Sequence, residues 1–237
     1  MSPELVFLTT TAAGLAFLHT LAGPDHYVPF IVMSRLGEWS IRKTAWITLL
    51  SGIGHVLSSV ALGVGGIALG VALAKLQAIE YFRGDLAARA LTAFGLLYCV
   101  WGIRRAIRGR PHTHGHGHLD GHQHTHEHVH LDAHTHVHAT DAGARMTPWV
   151  LFTIFVFGPC EVLIPLVMYA AIRVTPAGVA LVTAVFGTVT VGTMMGFVLA
   201  GAYSGRAIPL GKLERYNHAL AGAALFACGL SIQCLGL

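Results

Sequence analysis

Six long apolar runs constrain this chain more than any other feature of its sequence. They lie near residues 3–34, 44–74, 86–107, 147–172, 176–203 and 217–236. A helix needs roughly 20 predominantly apolar residues to cross a bilayer, so each run is long enough for a crossing. Charged residues make up only 11% of the chain, against about 25% in soluble domains. The sequence therefore predicts an all-α, polytopic membrane protein with six transmembrane helices.

The distribution of basic residues predicts how these helices are oriented. With six crossings, one face of the membrane carries eleven Lys and Arg residues and the other face carries four. Loops rich in Lys and Arg stay in the cytoplasm, so we expect both termini to lie outside. The bias fits a multi-pass protein of the cell inner (plasma) membrane. The poorer face carries Lys75, Arg83, Arg89 and Arg173.

Ionisable residues interrupt the first apolar run. His19, Asp25 and His26 lie within it, beside Gly23 and Pro24. Ionisable groups are costly at membrane depth and therefore indicate function there. Proline removes a backbone donor and clashes with the carbonyl four residues earlier, so Gly23-Pro24 predicts a broken helix. Carbonyls freed by such a break are tolerated in a membrane where they line a cavity or bind a ligand.

The fourth run repeats this arrangement at an offset of 135 residues. Gly158, Pro159, Cys160 and Glu161 then align with Gly23, Pro24, Asp25 and His26. Each break opens a block of three spans, and an odd number of spans inverts the second block. We therefore expect two inverted three-helix repeats with a broken first helix in each half, a plan found in many transporters.

A histidine-rich segment separates the two blocks. Twelve histidines lie between residues 112 and 138, mostly as His-x-His, among Gly, Thr, Asp and Glu. Because such a composition cannot bury a core, we expect a disordered cytoplasmic loop over 111–145, between repeats at 1–110 and 146–237. Imidazoles at this density bind Zn, Cu, Ni and Co. The predicted loop ligands are His112, His114, His116, His118, His122, His124, His126, His128, His130, His134, His136 and His138.

The spans combine carboxylate, imidazole and thiol groups, which are ligands of first-row divalent metals. Asp25 and Glu161 are the only acidic residues expected inside spans, and no Lys or Arg is expected there. An anion or amino-acid carrier would be expected to place a basic residue in a span. The candidate transport site for a metal therefore consists of Asp25, His26, His55, Cys160 and Glu161, joined by His19.

These residues resemble the nickel and cobalt transporter superfamily, including its six-span efflux permeases and its urease-accessory-like members. That superfamily carries an HxxxxDH-type motif in an early span and a Gly-His-rich motif in the next. The counterparts here are His19 with Asp25-His26, with one extra residue between them, and Ser51-Gly-Ile-Gly-His55. A mid-chain histidine-rich loop is also similar. The resemblance implies transport of nickel or cobalt, with zinc or copper as alternatives.

The second break is also similar, more distantly, to the Pro-Cys motifs of membrane thiol-disulfide electron carriers. Those proteins have inverted three-span halves, and each half needs a cysteine to form an exchangeable disulfide. In this chain Asp25 stands where the first cysteine would be. A redox carrier therefore remains one alternative to transport. A metal sensor or metallochaperone that binds through the histidine-rich loop is another.

The sequence thus predicts a transporter rather than an enzyme, without a permanent cofactor, whose substrate is a divalent transition metal. Export is favoured because the histidine-rich loop would lie in the compartment that is emptied. Protons are the expected counter-ion, since protonation and metal binding compete for the same lone pairs. The expected partners are the lipid bilayer and metal ions, with no nucleic acid. The oligomeric state stays open, a homo-oligomer included.

Overall fold

The computed structural model describes residues 2–36, 39–108, 112–117, 123–128, 142–158, 160–206 and 215–235. Only the backbone is described for 108, 112–117, 123–128, 142–147, 205, 206 and 235. The helices are α1 (Pro3–Ala22), α2 (Val28–Leu36), α3 (Ile41–Ala68), α4 (Leu73–Arg108), α5 (Ala142–Phe157), α6 (Leu163–Arg173), α7 (Pro176–Arg206) and α8 (Asn217–Leu235).

The first apolar run folds as two helices joined by a tight turn. Ser2 caps the N-terminus of α1, where its side chain accepts a hydrogen bond from the Leu5 amide at 3.2 Å. The helix ends at Ala22 with Gly23 as its C-cap, and Pro24–His26 form one 3₁₀ turn before α2 begins at Val28. Pro24 has no amide to continue the α-helical ladder, which explains why the interruption lies here.

The helices α3 and α4 follow one another through a glycine turn. Ser40 caps the N-terminus of α3 by accepting a hydrogen bond from the Lys43 amide at 3.2 Å. After α3 the chain turns at Gly70, whose φ of 64° is a left-handed conformation that glycine adopts without a steric penalty. The next helix, α4, is 36 residues long.

The start of α4 corrects the sequence analysis. The apolar run begins at residue 86, but the helix begins at Leu73 and includes Glu80, Arg83 and Asp85. Residues 73–107 form one of the helices apolar enough to cross a membrane. The expectation that Glu80, Arg83 and Asp85 lie in a loop before the third span is therefore wrong. That Asp25 and Glu161 are the only acidic residues inside spans, and that the spans hold no basic residue, stay predictions. Glu80 and Arg83 form an ion pair at 2.9 Å, and the paired charges compensate each other within the helix.

The loop between the halves contains a two-stranded antiparallel hairpin, β1 (His112–Gly117) and β2 (Gln123–His128). This differs from the prediction of a disordered loop. The His-x-His alternation has the two-residue period of a strand, and the backbone pairs His112 with His128, His114 with His126 and His116 with His124. The other loop histidines, 118, 122, 130, 134, 136 and 138, lie outside the described residues.

Helix boundaries in the two halves follow the 135-residue offset. In the first half α1 ends at Ala22, α2 begins at Val28 and α3 begins at Ile41; in the second, α5 ends at Phe157, α6 begins at Leu163 and α7 begins at Pro176. All three pairs of boundaries are 135 residues apart. The break of α5 and α6 thus has the same position as that of α1 and α2. Pro159 lies outside the described residues.

Glycines allow α4 and α8 to pack with their backbones in contact. A Cβ atom on Gly95 or Gly102 of α4 would collide with the backbone of Phe226 or Ala219 in α8. Gly222 meets the backbone of Cys99 in the same way. Residue numbers rise on one helix as they fall on the other, so the helices are antiparallel. Small residues of this kind are the usual device for close helix packing in membranes.

Four helices are long and apolar enough to cross a membrane within the described part of the chain: Pro3–Ala22, Ile41–Ala68, Leu73–Ile107 and Pro176–Ser204. Two shorter apolar helices, Pro148–Phe157 and Leu163–Arg173, lie on either side of the second break. The fold therefore indicates a helical membrane protein. The predicted six crossings and the inverted halves go beyond this finding and are taken up below.

Candidate metal centre

Three imidazoles converge at the first helix break. His19 lies in the last turn of α1, His26 in the 3₁₀ turn and His55 in the middle of α3. Each offers one nitrogen, and these three atoms lie within 4.8 Å of one another. The ring centroids of His19 and His26 are 4.7 Å apart, and those of His26 and His55 are 5.2 Å apart. Residues from α1, the 3₁₀ turn and α3 thus form one cluster.

Hydrogen bonds orient the His26 ring. Its Nδ1 lies 3.1 Å from the Asp25 carboxylate and 3.1 Å from the Gly23 carbonyl. Both are acceptors, so the proton belongs on Nδ1, and Nε2 keeps a free lone pair. Nε2 is buried and has no hydrogen-bond partner in the described structure. A metal ligand of the carboxylate–histidine type has this arrangement.

The His55 ring is oriented in the same way by the second break. Its Nδ1 donates to the backbone carbonyl of Phe155 at 3.3 Å, and the Phe155 ring lies 4.7 Å from the imidazole centroid. Position 159 is a proline, which has no amide to bond the carbonyl four residues earlier. The Phe155 carbonyl instead accepts from the Gly158 amide at 3.1 Å, and its second lone pair accepts from His55. Nε2 of His55 is buried and has no hydrogen-bond partner among the described residues.

Cys160 joins the cluster beside His19. The Cys160 sulfur lies 3.8 Å from Nε2 of His19, and the cysteine is fully buried. All four cysteines are free. The structure therefore places a thiol next to the imidazoles but outside the group of three nitrogens. It shows no disulfide of the kind that a redox carrier exchanges.

The two carboxylates predicted for the site have different positions. Asp25 is the orienting partner of His26, and it lines a cavity of about 300 Å³ with His19, His26 and Glu161. Glu161 is exposed, whereas the neighbouring Cys160 is fully buried. Neither carboxylate belongs to the group of nitrogens that lies within 4.8 Å. Both face the cavity next to that group.

Position 23 has to be a glycine for this site to form. A Cβ atom on Gly23 would lie 2.6 Å from Nδ1 of His26 and 2.8 Å from Oδ1 of Asp25. The imidazole and the carboxylate fold back over this glycine. Any side chain at position 23 would therefore displace the hydrogen bond that orients His26.

Side chains from α3 and α4 satisfy the backbone groups that the second break exposes. Arg83 donates to the Val156 carbonyl at 3.2 Å and to the Ser58 hydroxyl at 2.9 Å. The Ser59 hydroxyl accepts from the Cys160 amide at 3.3 Å. Each backbone group without a hydrogen bond costs on the order of several kcal/mol in hydrocarbon. These contacts therefore hold Phe155 and Cys160 at the histidine cluster.

Sequence reasoning missed Phe155, Glu80 and Arg83. The signal for Phe155 was available, because a proline at position 159 identifies the carbonyl of residue 155 as one without its helical donor. No comparable signal existed for Arg83. Its partners lie 25 residues away at Ser58 and 73 residues away at Val156.

The three imidazoles can hold a metal ion of the first transition series once they move closer together. In a tetrahedral site with metal–nitrogen bonds of about 2.1 Å, two ligand nitrogens lie roughly 3.4 Å apart. The imidazole nitrogens, spread over up to 4.8 Å, would therefore need to approach by up to about 1.4 Å. Imidazole is a good ligand for Zn, Cu, Ni and Fe.

Comparisons with protein-family models, with curated proteins and with solved structures return no match for this chain. The class of protein is given by the fold and the cluster alone: a helical membrane protein with a group of histidines that can hold a metal ion.

Proposed function

We propose that this protein transports divalent transition-metal ions across a membrane, with nickel and cobalt as the first candidates and zinc and copper as alternatives. One observation carries the proposal. Nε2 atoms of two oriented, buried imidazoles, His26 and His55, have no partner in the described structure and face a third histidine at a helix break. Burying a polar atom without a hydrogen bond is unfavourable, and a bound cation would remove that cost.

The openness of the cluster favours transport over a permanent structural site. Structural zinc sites are closed by four protein ligands, whereas three ligands leave a position for exchange. His19 and His26 line the cavity of about 300 Å³, which has room for several water molecules at roughly 30 Å³ each. An ion can therefore keep part of its hydration shell and leave again.

The broken helices support a site shared by two inverted halves. The matching boundaries of α1, α2 and α3 with α5, α6 and α7 favour an internal repeat. A Cβ on Gly52 would lie 3.2 Å from Val191, and one on Gly187 would lie 3.1 Å from Val56. Each pair is the 135-residue counterpart of the other, so α3 and α7 cross at equivalent points. Transporters with inverted repeats bind their ions where broken helices meet.

Export with proton exchange is the favoured direction and coupling. A histidine-rich segment on the cytoplasmic side would collect ions from the compartment that is emptied. Inward-moving protons would displace the metal, because imidazole binds a metal ion only in its unprotonated form. On this proposal both termini lie outside and the chain crosses six times.

Flux measurements in proteoliposomes test the proposal. Wild-type protein should move Co²⁺ or Ni²⁺ across the vesicle membrane, whereas His26→Ala and His55→Ala should reduce the flux to that of empty vesicles. His218→Ala is the matched control. His218 lies at the start of α8, forms a hydrogen bond with Tyr98 of α4 and is not in the cluster. Normal flux in both cluster variants for every ion tried would show that the site is wrong.

Deletion of residues 112–138 separates transport from sensing. A transporter should keep ion-specific flux through the helices after the deletion, with a lower rate at low metal concentration. A sensor or metallochaperone that works through the loop should show no flux before or after it. If the full chain moves ions but the deleted chain gives only the flux of empty vesicles, the loop is itself part of the transport path.

A further inference from the structure

A second, smaller cavity lies beside the histidine cavity and is lined by acidic side chains. Its volume is about 180 Å³, and its walls include Gln77, Glu80, Tyr81 and Glu161. Tyr81 and Glu161 also line the histidine cavity. The two cavities are therefore neighbours that share part of one wall.

Glu80 has an unusual environment for a carboxylate. Its side chain is 1% exposed, and Oε1 accepts a hydrogen bond from Arg83 at 2.9 Å. The Ser59 hydroxyl and the Cys160 amide also interact with the Glu80 carboxylate, but the second oxygen, Oε2, is buried and has no partner at hydrogen-bonding distance and angle within the described ranges. Carboxylates are almost never fully buried unless they are paired, and Arg83 pairs only one of the two oxygens. Oε2 thus lacks a partner at the wall of a cavity.

The charges at this place are unbalanced. Arg83 compensates one of the two carboxylates, Glu80 and Glu161, and it also bonds Ser58 and the Val156 carbonyl. The ionised set carries one net negative charge next to a cavity large enough for a hydrated ion. Oxygen ligands of this kind suit Mg, Ca and Mn, whereas the imidazoles suit softer metals.

We propose that Glu80 and Glu161 form a second cation site, with hard oxygen ligands, that receives a partly hydrated divalent cation next to the histidine cluster. Glu80 supplies the unpartnered Oε2, and Glu161 supplies a carboxylate at the wall common to both cavities. Gln77 lies close enough to the cavity to contribute an amide oxygen. A hydrated ion held here lies next to the cavity that His19 and His26 line. The proposal rests on the transport function as far as the passage of ions is concerned.

Binding of Mn²⁺ alone tests this second site. Electron paramagnetic resonance of the free ion counts the Mn²⁺ bound per full-length chain in detergent, and carboxylates bind this ion better than imidazoles do. Glu161→Gln should abolish one class of bound Mn²⁺, and so should Glu80→Gln. Because Glu161 is exposed, its substitution leaves the fold intact even if Glu80→Gln, with Arg83 uncompensated, fails to fold.

Two controls make the result decisive. Asp85→Asn also removes a carboxylate from α4. That carboxylate is paired with Arg89, and it lines the histidine cavity but not the small cavity. It should leave Mn²⁺ binding unchanged. His55→Ala should remove Co²⁺ flux and keep the Mn²⁺ site, so failure of the transport proposal can be told from failure of this one. Unchanged Mn²⁺ binding in Glu161→Gln overturns the second site.

Discussion

The two helix breaks of this protein share a backbone plan and differ in chemistry. The first break presents the imidazoles that could hold a metal ion: His19 before it and His26 within it, with Asp25 orienting His26. The second break mainly orients a histidine of another helix: the carbonyl and the ring of Phe155 position the His55 imidazole. Matching positions in the two halves therefore have different roles at the site. A repeat in sequence indicates where the site lies, but it does not indicate which half supplies the ligands.

The breaks also differ in how their exposed backbone is satisfied. At the first break, the Gly23 carbonyl accepts from the His26 ring of the same segment. At the second, the Val156 carbonyl and the Cys160 amide bond Arg83 and Ser59 from other helices. The first break is thus locally stabilised, whereas the second depends on α3 and α4. Three predictions follow from this contrast in decreasing order of effect.

Arg83→Met should destabilise the protein most. It removes the donor to the Val156 carbonyl and leaves Glu80, which is 1% exposed, without its partner. Breaking a buried ion pair by removing one partner costs about 3–5 kcal/mol. Thermal unfolding in detergent measures the loss. Arg89→Met is the matched control, since this residue is 69% exposed in its pair with Asp85 and the exposed pair contributes roughly 0.3–0.5 kcal/mol. Equal shifts in both variants would contradict the role of Arg83 at the second break.

Asp25→Asn should weaken metal binding more than Glu161→Gln does at the matching break. Loss of a partner that orients a ligand typically costs 10- to 100-fold in metal affinity. The apparent Michaelis constant for Co²⁺ flux in proteoliposomes should therefore rise by about 10- to 100-fold in Asp25→Asn. Glu161 is not one of the groups that orient the imidazoles, so its substitution should change this constant less. A larger effect of Glu161→Gln would contradict the assignment of the ligands to the first break and of the orienting groups to the second.

Cys160→Ser should have the smallest effect. On the proposed function the three imidazoles supply the ligand atoms, and Cys160 contacts His19 at 3.8 Å from outside the group of nitrogens. We expect the apparent Michaelis constant for Co²⁺ flux to change by less than about tenfold, which is less than the loss of affinity typical when a group that orients a ligand is removed. Absorption spectra of the wild-type protein with Co²⁺ should show no thiolate-to-cobalt charge-transfer band. Such a band, lost in Cys160→Ser, would make the second break a source of ligands as well.

Local chemistry explains what sequence reasoning could predict of the site. His26 is next to Asp25, and Pro24 lies two residues earlier, so the break, the imidazole and its orienting carboxylate are encoded within a few positions. His55 stood out as a histidine in an apolar run. His19 had the weakest motif support, since one extra residue separates it from Asp25. The structure nonetheless places it in the cluster, because the 3₁₀ turn folds His26 back towards the last turn of α1.

Charged residues in α4 were misjudged for a physical reason. A hydropathy reading ends a span where charges appear, and Glu80, Arg83 and Asp85 therefore seemed to belong to a loop. Paired charges at i and i+3 remain within a helix without a large penalty once they compensate each other. Only the packing of α4 against α3 and α5 reveals that Arg83 bonds the carbonyl of a broken helix.

The sequence by itself determined the apolar helices, the positions of both breaks at the 135-residue offset and the identity of the three histidines. These features depend on neighbouring residues, on composition and on proline geometry, which are local. Only the tertiary structure decided that Phe155 orients His55, that Cys160 is buried while Glu161 is exposed, and that Glu80 faces a second cavity. Each of these depends on contacts between residues far apart in the chain, and the distances that make such contacts exist only after the helices have packed.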